Sequence, residues 1–247
     1  RPGDGEGRDN QTEAGRDELD DAAVHRSKGM AGSSREVHGR VQTVPNRRLD
    51  ESTCRHWGYE VGEYNGQPCH IANYRNSSGQ VIGQKIRLPD KKFTWTGSPK
   101  EVGLYGDWLW SKGKRIVITE GEIDALSVSQ AMGNKWPVVS VPNGAQGASA
   151  AIKKSYDYLQ NFEEVVLMFD NDEHGQKAAV ECAELLPVGR VKIANLPLKD
   201  ANEMLVAGRA DELMQAFWNA IFTVFYKEFP RKTGRFGHFS RIFRVAV

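Results

Sequence analysis

The amino-acid sequence predicts an α/β fold in which helices flank a parallel sheet, with a smaller α+β subdomain on its N-terminal side. From Lys114 onward, short apolar stretches alternate with stretches of helical spacing, which is typical of consecutive βαβ units. Before Lys114, apolar and polar residues alternate with a period of two, as in half-buried strands. Changes in composition divide the chain into residues 1–46, 47–112, 113–220 and 221–247.

The overall composition is that of a globular protein with nearly balanced charge. The 247 residues are 39% hydrophobic and carry 33 basic and 32 acidic side chains, so evidence for nucleic-acid binding must come from local clusters. The three cysteines, Cys54, Cys69 and Cys182, form no C-x-x-C pair, so neither a disulfide framework nor a structural zinc site is expected. No apolar run approaches the roughly 20 residues that cross a bilayer, and no signal peptide is evident. These features predict a soluble, intracellular protein.

Residues 1–46 differ from the rest of the chain because they lack Phe, Trp and Tyr and hold 16 charged residues. Such a stretch cannot bury enough apolar surface to offset the entropy lost on ordering. We therefore expect a disordered segment or linker, or sequence that is not native to the protein.

Residues 47–112 are predicted to form the small α+β subdomain. Pro68–Tyr74 and Val81–Arg87 alternate apolar and polar residues, and the turn signal Asn76–Gly79 lies between them. A β-hairpin is expected here.

Residues 113–220 are predicted to form the parallel sheet and its helices. The expected strands are 115–119, 137–141, 165–169 and 191–194, and the expected helices are 122–132, 148–159, 175–186 and 211–220.

Residues 221–247 have a different composition, with six Lys or Arg, one Glu and seven aromatic residues. Arginines among aromatic side chains suit stacking on single-stranded DNA. The alternative, which we favour, is out-of-frame or fusion sequence that is not native to the protein.

Acidic residues follow three of the predicted strands. The three clusters are 119–124, 169–173 and 198–203. Ligands of open parallel sheets bind beyond the carboxyl ends of the strands, so these clusters should converge on one edge. Mg²⁺ prefers oxygen ligands and takes only one or two protein carboxylates, leaving room for water and substrate phosphates. Each cluster alone has a simpler explanation. A lone D-x-D after a strand is often a solvated turn or a helix N-cap, Asp200 could cap a helix beginning near Ala201, and Asp124 could favour the positive end of its helix.

The order of these clusters resembles the toprim domain, a Rossmann-like parallel sheet shared by bacterial-type primases, topoisomerases and some nucleases. The pattern E-G-x-x-D is followed by D-x-D after an apolar strand. The resemblance is closer still to the primase half of the fused primase–helicase of T7-type phages, on the stretches TEGEIDALSV, FEEVVLMFDNDEHGQKAAVE, LPLKDANEM and IANYRNSSGQVIGQKIRLPDKKF. It extends from Arg47 to Ala220, roughly 70% of the chain.

The resemblance implies roles for individual residues. Glu120 would serve acid/base work or position a metal, Asp170 and Asp172 would hold Mg²⁺ or Mn²⁺, and Asp124 and Asp200 would complete the acidic site. Basic residues matching Lys85 and Lys91, together with Arg87 between them, would contact nucleotide or primer phosphates, for which a lysine is a suitable point charge. The simpler reading of these cations is a solvated strand face.

A glycine-rich segment, Pro142–Ser149, precedes a predicted helix. Its backbone N–H groups could bind an anion, or the segment could be only a strand-to-helix turn. It is not a P-loop, because no G-K-[ST] follows.

The resemblance implies a DNA primase that synthesises short RNA primers on single-stranded DNA from ribonucleoside triphosphates. Its partners would include a replicative helicase and a zinc-binding module, neither of which this sequence supplies. Two alternatives stay open: a toprim module that binds single-stranded DNA without catalysis, and a toprim nuclease. A topoisomerase is disfavoured because nothing indicates a nucleophilic tyrosine in a further domain.

Overall fold

The computed structural model describes residues 35–225 and 242–245, which form two sheets and seven α-helices. The first sheet is antiparallel and holds strands β1 to β5 in sequence order. Its strands are β1 (Gly39–Arg40), β2 (Tyr59–Tyr64), β3 (Gln67–Arg75), β4 (Val81–Arg87) and β5 (Phe93–Gly97). A short helix, α1 (Glu51–Trp57), connects β1 to β2.

The predicted hairpin is confirmed as β3 and β4, in which Ala72 pairs with Lys85. The side chain of Asn76 holds the connecting turn, because its Oδ1 accepts the N–H groups of Ser78 and Gln80. The turn between β2 and β3 consists of Asn65 and Gly66, both with positive φ, which matches the twist of a two-residue hairpin.

The second sheet has the predicted parallel strands at its centre. These are β6 (Gly113–Thr119), β7 (Val138–Ser140), β8 (Phe162–Met168) and β9 (Val191–Ile193). They lie in the order β9-β8-β6-β7, and each neighbouring pair is parallel. Two further strands, β10 (Ile221–Phe225) and β11 (Ile242–Val245), extend the sheet antiparallel beyond β9.

Helices flank this sheet as expected, with an additional short helix after β9 and some changed bounds. They are α2 (Glu122–Ala131), α3 (Gly144–Lys154), α4 (Tyr156–Leu159), α5 (Glu173–Ala183), α6 (Ala201–Val206) and α7 (Ala210–Trp218). The helix predicted over 148–159 begins earlier, at Gly144, and is broken at Ser155 into α3 and α4.

The hydrophobic core has a layer on each face of the parallel sheet. One layer contains Ile152 of α3 and Cys182 of α5 against β6 and β8. The other contains Leu126 of α2 and Phe217 of α7, and it continues into the antiparallel sheet through Tyr74. The two predicted subdomains therefore share one core layer.

The predicted terminal boundaries fall inside folded regions. Gly39 and Arg40 pair with β2 and Val44 is buried, so the first sheet begins before the boundary predicted after residue 46. Pairing with a neighbouring strand and core burial stabilise a segment that composition alone does not favour. Residues 1–34 lie outside the described residues. Strand β10 (Ile221–Phe225) pairs with both β9 and β11, so the predicted tail starts within the sheet. Residues 226–241 and 246–247 also lie outside the described residues.

The three cysteines have free, buried thiols in three separate clusters of the core. Among the helices of residues 35–225, none combines the length and the apolar character that a membrane span requires.

Candidate active site

The acidic clusters follow three parallel strands, as the sequence predicts. Glu120 comes directly after β6, Asp170 follows β8 beyond Phe169, and Asp200 follows β9 through a short loop. Because β6, β8 and β9 are mutually parallel, their carboxyl ends lie at one edge of the sheet. This topology places the acids at the edge where open α/β sheets bind ligands.

Glu120 is the anion at the N-terminus of α3. Its Oε1 accepts the N–H of Ala145 at 3.2 Å, and Gly144 precedes that residue with a φ of 62°. The glycine-rich segment is thus a strand-to-helix turn whose helix N-terminus already holds a carboxylate of the protein. The other oxygen, Oε2, is buried and has no hydrogen-bond partner within the described part of the chain. A buried carboxylate oxygen of this kind is suited to a cation.

Asp124 lies in the first turn of α2 and points toward α6. Its Oδ1 accepts the N–H of Asn202 at 3.1 Å. Burial raises the pKa of Asp124 well above its ordinary value, and the charges of Asp200, Asp170 and Glu120 raise it further. The Asn202 hydrogen bond opposes this increase in pKa.

Asp170 is electrostatically linked to the acids of all three clusters. Burial raises the pKa of Asp170 to about 7, with Glu120, Asp200 and Asp172 adding to the increase. The ammonium of Lys199 opposes it. Asp124 is likewise influenced by Glu120, Asp200 and Asp170, so charges from different strand ends act on one another.

Asp172 and Asp200 both cap helices. Oδ1 of Asp172 accepts the N–H of Gly175 at 2.9 Å at the start of α5, and Oδ1 of Asp200 accepts the N–H of Glu203 at 2.7 Å at the start of α6. The simpler reading of these two acids is therefore confirmed. Capping occupies one oxygen of each, and Oδ2 of Asp172 lies 3.9 Å from Nζ of Lys199. Capping and a role in the site are compatible.

Gly175 allows α5 to begin close to β8. A Cβ built on Gly175 would lie 2.3 Å from the carbonyl oxygen of Asp170, which is too close for any side chain. Gly121 has a related function, because a Cβ there would lie 2.8 Å from Oδ2 of Asp124. Both glycines keep room around the acids.

The acids would suit a divalent cation that keeps several water ligands, rather than one coordinated by protein side chains alone. Within residues 35–225 and 242–245, no three His, Cys, Asp or Glu side chains come together as a ready metal-binding group. The predicted metal ligands Glu120, Asp170 and Asp172 therefore do not form a preformed triad. Mg²⁺ commonly binds only one or two protein carboxylates and keeps several waters, so a site without a preformed triad could still hold it.

The side chain of Lys85 was expected to be accessible for contact with a phosphate, but its ammonium is paired within the protein. Its ammonium donates to both oxygens of Glu122, at 2.9 and 3.1 Å, and to the carbonyl oxygen of Pro142 at 2.7 Å. The Tyr74 hydroxyl donates to Oε1 of the same Glu122 at 2.6 Å. This buried pair connects β4 of the antiparallel sheet with α2 of the parallel-sheet half. The alternative of a solvated strand face does not describe Lys85 either.

Glu122 is the residue that sequence reasoning missed. Glu122 lies within the first acidic cluster, two residues after Glu120. Its side chain points toward the antiparallel sheet and not toward the acids at the strand ends. The available signal was its position in the first turn of a helix next to a predicted basic strand. Pairing between distant elements cannot be read from that signal alone.

Arg87 and Lys91 remain on the accessible margin of β4 and its connection to β5. Arg87 is partly exposed, and its guanidinium lies 5.5 Å from the ring centre of Phe93. Lys91 is exposed and has a φ of 59°. The structure therefore separates the three predicted cations into one paired lysine and two accessible cations.

Comparison with known proteins supports the resemblance. Residues 39–97 match the family described as "Bacteriophage T7 DNA helicase/primase, N-terminal a+b fold", and residues 117–205 match the Toprim-like family. The DNA helicase/primase of Enterobacteria phage T3 is 42% identical over 183 residues, which are 74% of this chain and 32% of the T3 protein. The crystal structure of the primase fragment of the bacteriophage T7 primase-helicase is 40% identical, with a TM-score of 0.72, over 77% of this chain and 82% of that one.

The chain belongs to the T7-type primase family. A second T7 structure, of lagging-strand DNA polymerase interacting with primase domains of two gp4 subunits bound to an RNA/DNA hybrid and dTTP, is 43% identical, with a TM-score of 0.71 over 74% of this chain and 93% of that chain. The predicted toprim fold and family resemblance are thus confirmed. This T7-type primase chain spans about a third of the length of the T3 relative.

Proposed function

We propose that this chain is the RNA-polymerase domain of a DNA primase, which synthesises short RNA primers on a single-stranded DNA template. The observation that carries the proposal is the group of five acids, linked by charge, at the carboxyl edge of a toprim sheet. Membership in the T7-type primase family supports the same activity. Retention of Glu120, Asp170 and Asp172 favours a catalytic site over a module that only binds DNA.

The proposed reaction is nucleotidyl transfer. The 3′ hydroxyl of one ribonucleotide gives its proton to water or to a carboxylate, and its oxygen attacks the α-phosphorus of the next nucleotide. A new P–O bond forms while the bond between the α- and β-phosphates breaks, and pyrophosphate leaves. Bound Mg²⁺ or Mn²⁺ would supply charge neutralisation and activation of the hydroxyl. The unpartnered oxygen of Glu120 and the carboxylate of Asp170 are the groups proposed to hold the cation.

The remaining side chains position the loops of the site and neutralise the charge of phosphates. Asp172 and Asp200 fix the starts of α5 and α6, which orients the loops that follow β8 and β9. Asp124 ties α2 to α6 through Asn202, so the acids of different strands keep their relative positions. Arg87 and Lys91 supply accessible positive charge for phosphates of nucleotide or primer.

The proposed partners are single-stranded DNA, ribonucleoside triphosphates, a replicative helicase and a zinc-binding module. The T3 relative is named a DNA helicase/primase, which supports a helicase partner. The T7 structure named for an RNA/DNA hybrid supports a nucleic-acid substrate. The cytoplasm of a phage host is the proposed location.

The test is synthesis of labelled oligoribonucleotides by the chain on single-stranded DNA, with and without Mg²⁺ and with and without an added zinc-binding module. Asp170→Asn should reduce synthesis by at least about 100-fold, because the charge of a carboxylate at the reacting phosphates is lost. Asp211→Asn, which changes an exposed acid of α7, is the matched control and should behave as wild type.

Equal synthesis by wild type and Asp170→Asn would rule out this site assignment. Binding of template without any Mg²⁺-dependent synthesis would support the non-catalytic module instead, and Mg²⁺-dependent nicking of DNA would support the nuclease.

A further inference from the structure

Phe93 is a large apolar side chain that stays open to solvent at the start of β5. Its side chain is 49% exposed, although it belongs to a strand whose Thr96 is buried. Phe93 pairs directly with Arg87 across β4 and β5, and Trp95 pairs with Lys85. Directly opposite residues share a sheet face, so Phe93, Arg87 and Lys85 lie together on one face.

Two cations contact the Phe93 ring. Nζ of Lys85 lies 4.8 Å from the ring centre and Cζ of Arg87 lies 5.5 Å from it, both within the range of cation–π attraction. Exposed Lys91 and Lys92 directly precede the ring in the connection from β4. An exposed aromatic ring among accessible positive charges is the combination that binds single-stranded nucleic acid, in which bases stack and phosphates meet cations.

Lys85 links the Phe93 ring to the helices at the acidic edge. Lys85, which contacts the ring, donates to Glu122 in the first turn of α2 and to the carbonyl oxygen of Pro142, just before α3. The same two helices carry Asp124 and the N–H group that binds Glu120. Lys85 therefore connects the Phe93 ring to the starts of the two helices that hold these acids.

The exposed tryptophans of the chain are arranged differently. Trp136 and Trp218 meet edge to face with ring centres 5.3 Å apart. Trp136 precedes β7, at the amino end of the parallel strands and away from the acids. Exposed Tyr156 of α4 also precedes a parallel strand, β8, at its amino end. Of the exposed aromatic side chains in the described residues, Phe93 is therefore the one connected through Lys85 to the helices at the acidic edge.

We propose that Phe93 is a stacking surface for a nucleobase, with Arg87 behind the ring and a phosphate-binding margin formed by Arg87 and Lys91. The inference rests on the proposed function and adds a base-binding subsite to it. The base belongs either to a nucleic-acid strand or to a free ribonucleoside triphosphate, and both sources present the same flat aromatic surface.

A set of binding measurements separates the contribution of base stacking from that of the phosphate charges. One arm compares a fluorescent single-stranded oligodeoxynucleotide with an abasic oligonucleotide of the same length and phosphate number. The other arm compares ATP with ribose 5-triphosphate. Each pair is measured with wild type, Phe93→Leu and Phe93→Tyr in Mg²⁺ buffer. Phe93→Leu removes the ring but keeps an apolar side chain, and Phe93→Tyr keeps the ring.

Wild type should bind the base-bearing ligand of at least one arm about 5- to 100-fold more tightly than its base-free partner. Phe93→Leu should reduce that ratio to within about twofold, because the base-free ligands lose nothing, and Phe93→Tyr should preserve it. A ratio that changes only in the oligonucleotide arm assigns the base to a strand, and a change only in the nucleotide arm assigns it to a triphosphate.

The inference is overturned if the base-to-abasic ratios of wild type and Phe93→Leu agree in both arms. Unfolding temperatures of the three proteins identify a fold defect, since Phe93→Tyr should melt as wild type does. The binding ratios do not require primer synthesis, so the stacking subsite and the proposed polymerase activity fail or succeed separately.

Discussion

At the scale of single residues, two acids of the site, Asp124 and Asp170, have pKa values above those of free carboxylates. Burial together with Glu120, Asp200 and Asp172 raises the pKa of Asp170 to about 7, and similar causes raise the pKa of Asp124. A cation favours the charged carboxylate, so its binding must release a proton. Protons and Mg²⁺ are thus expected to compete at this site.

The first prediction concerns this competition. Mg²⁺ affinity should rise between pH 6 and pH 8, because fewer Asp170 carboxyls remain to be deprotonated, and binding near pH 6.5 should release up to about one proton per ion. Titration calorimetry in buffers of different ionisation enthalpy measures the number released. Asp170→Asn should release fewer protons. The expected coupling between Mg²⁺ binding and deprotonation of Asp170 would be contradicted if the number of protons released did not vary with pH. It would also be contradicted if wild type and Asp170→Asn released equal numbers.

Lys85 illustrates how a residue with a predicted phosphate role can be required for folding. Its ammonium lies in a buried pair with Glu122 and is largely shielded from solvent. Removing one partner of a buried ion pair leaves an uncompensated charge, at a cost of roughly 3–5 kcal/mol.

The second prediction follows from this pairing. Lys85→Met should lower the free energy of unfolding by roughly 3–5 kcal/mol at pH 7. Lys91→Met, at an exposed position, should change it by less than about 0.5 kcal/mol. Urea unfolding compares the two variants. If both lysines can be replaced at the same small cost, the Lys85–Glu122 pair does not stabilise the fold.

At the scale of secondary-structure elements, β3 and β4 are attached to α2 by the hydrogen bonds around Glu122. Tyr74 of β3 is fully buried, contacts the rings of Trp95 and Tyr105, and donates its hydroxyl to Glu122. The hydroxyl therefore orients the carboxylate that receives Lys85. Tyr158 provides a contrast, because its buried hydroxyl has no hydrogen-bond partner among the described residues.

The third prediction compares the same substitution at these two sites. Tyr74→Phe should cost about 1–2 kcal/mol of unfolding free energy, because it keeps the ring packing and removes a donor to a charged acceptor. Tyr158→Phe should be neutral or slightly stabilising, since no hydrogen bond is lost. Chemical unfolding at pH 7 measures both. A larger cost at Tyr158 than at Tyr74 would show that the hydroxyl bond to Glu122 does not stabilise the junction.

Local patterns were sufficient to predict most elements but not how they pair. The β3–β4 hairpin and the four parallel strands follow from alternation and apolar runs, and both are confirmed. Helix α1 and strand β5 were not predicted, because short elements carry few periods of any pattern and depend on tertiary packing. The turn between β2 and β3 was also not predicted, although Asn-Gly, here Asn65–Gly66, is a typical hairpin dipeptide.

The candidate site shows the same division. The acids could be placed at strand ends from sequence because parallel strands end at one edge of a sheet. The Glu122–Lys85–Tyr74 contacts could not, since they join residues 37 and 48 positions apart and depend on how the two halves pack. The roles of the five acids and of Arg87 and Lys91 stay predictions until variants are assayed.

At the scale of the whole molecule, three acids change the pH dependence of folding in the same direction. Burial raises the pKa of Asp107 to about 6, and it contributes to the raised values of Asp124 and Asp170. In the unfolded chain these carboxyls titrate near pH 4. Between about pH 4 and pH 7 the native protein therefore holds more protons than the unfolded chain, so stability falls as pH rises through that window.

Asp107 provides the fourth prediction because it lies outside the acidic site. Its folded pKa of about 6 means that its contribution is favourable below about pH 4 and declines until the carboxyl is ionised above pH 6. Asp107→Asn should therefore raise the free energy of unfolding by about 1–2 kcal/mol at pH 7 and change it little at pH 4. The lower value of this range applies if solvent screens the partly exposed carboxylate. The amide oxygen can still accept the backbone hydrogen bond of Trp108.

Urea unfolding at pH 4.5, 6 and 7.5, without Mg²⁺, measures this effect, and Asp211→Asn at an exposed position is the control. The curves of wild type and Asp107→Asn should converge toward acid pH and separate toward neutral pH, whereas the control should run parallel to wild type throughout. Curves for Asp107→Asn that are parallel to wild type would mean that Asp107 is ionised in the native protein over the whole range. The decline in wild-type stability would then have to come from the acids at the sheet edge, and added Mg²⁺ should abolish it.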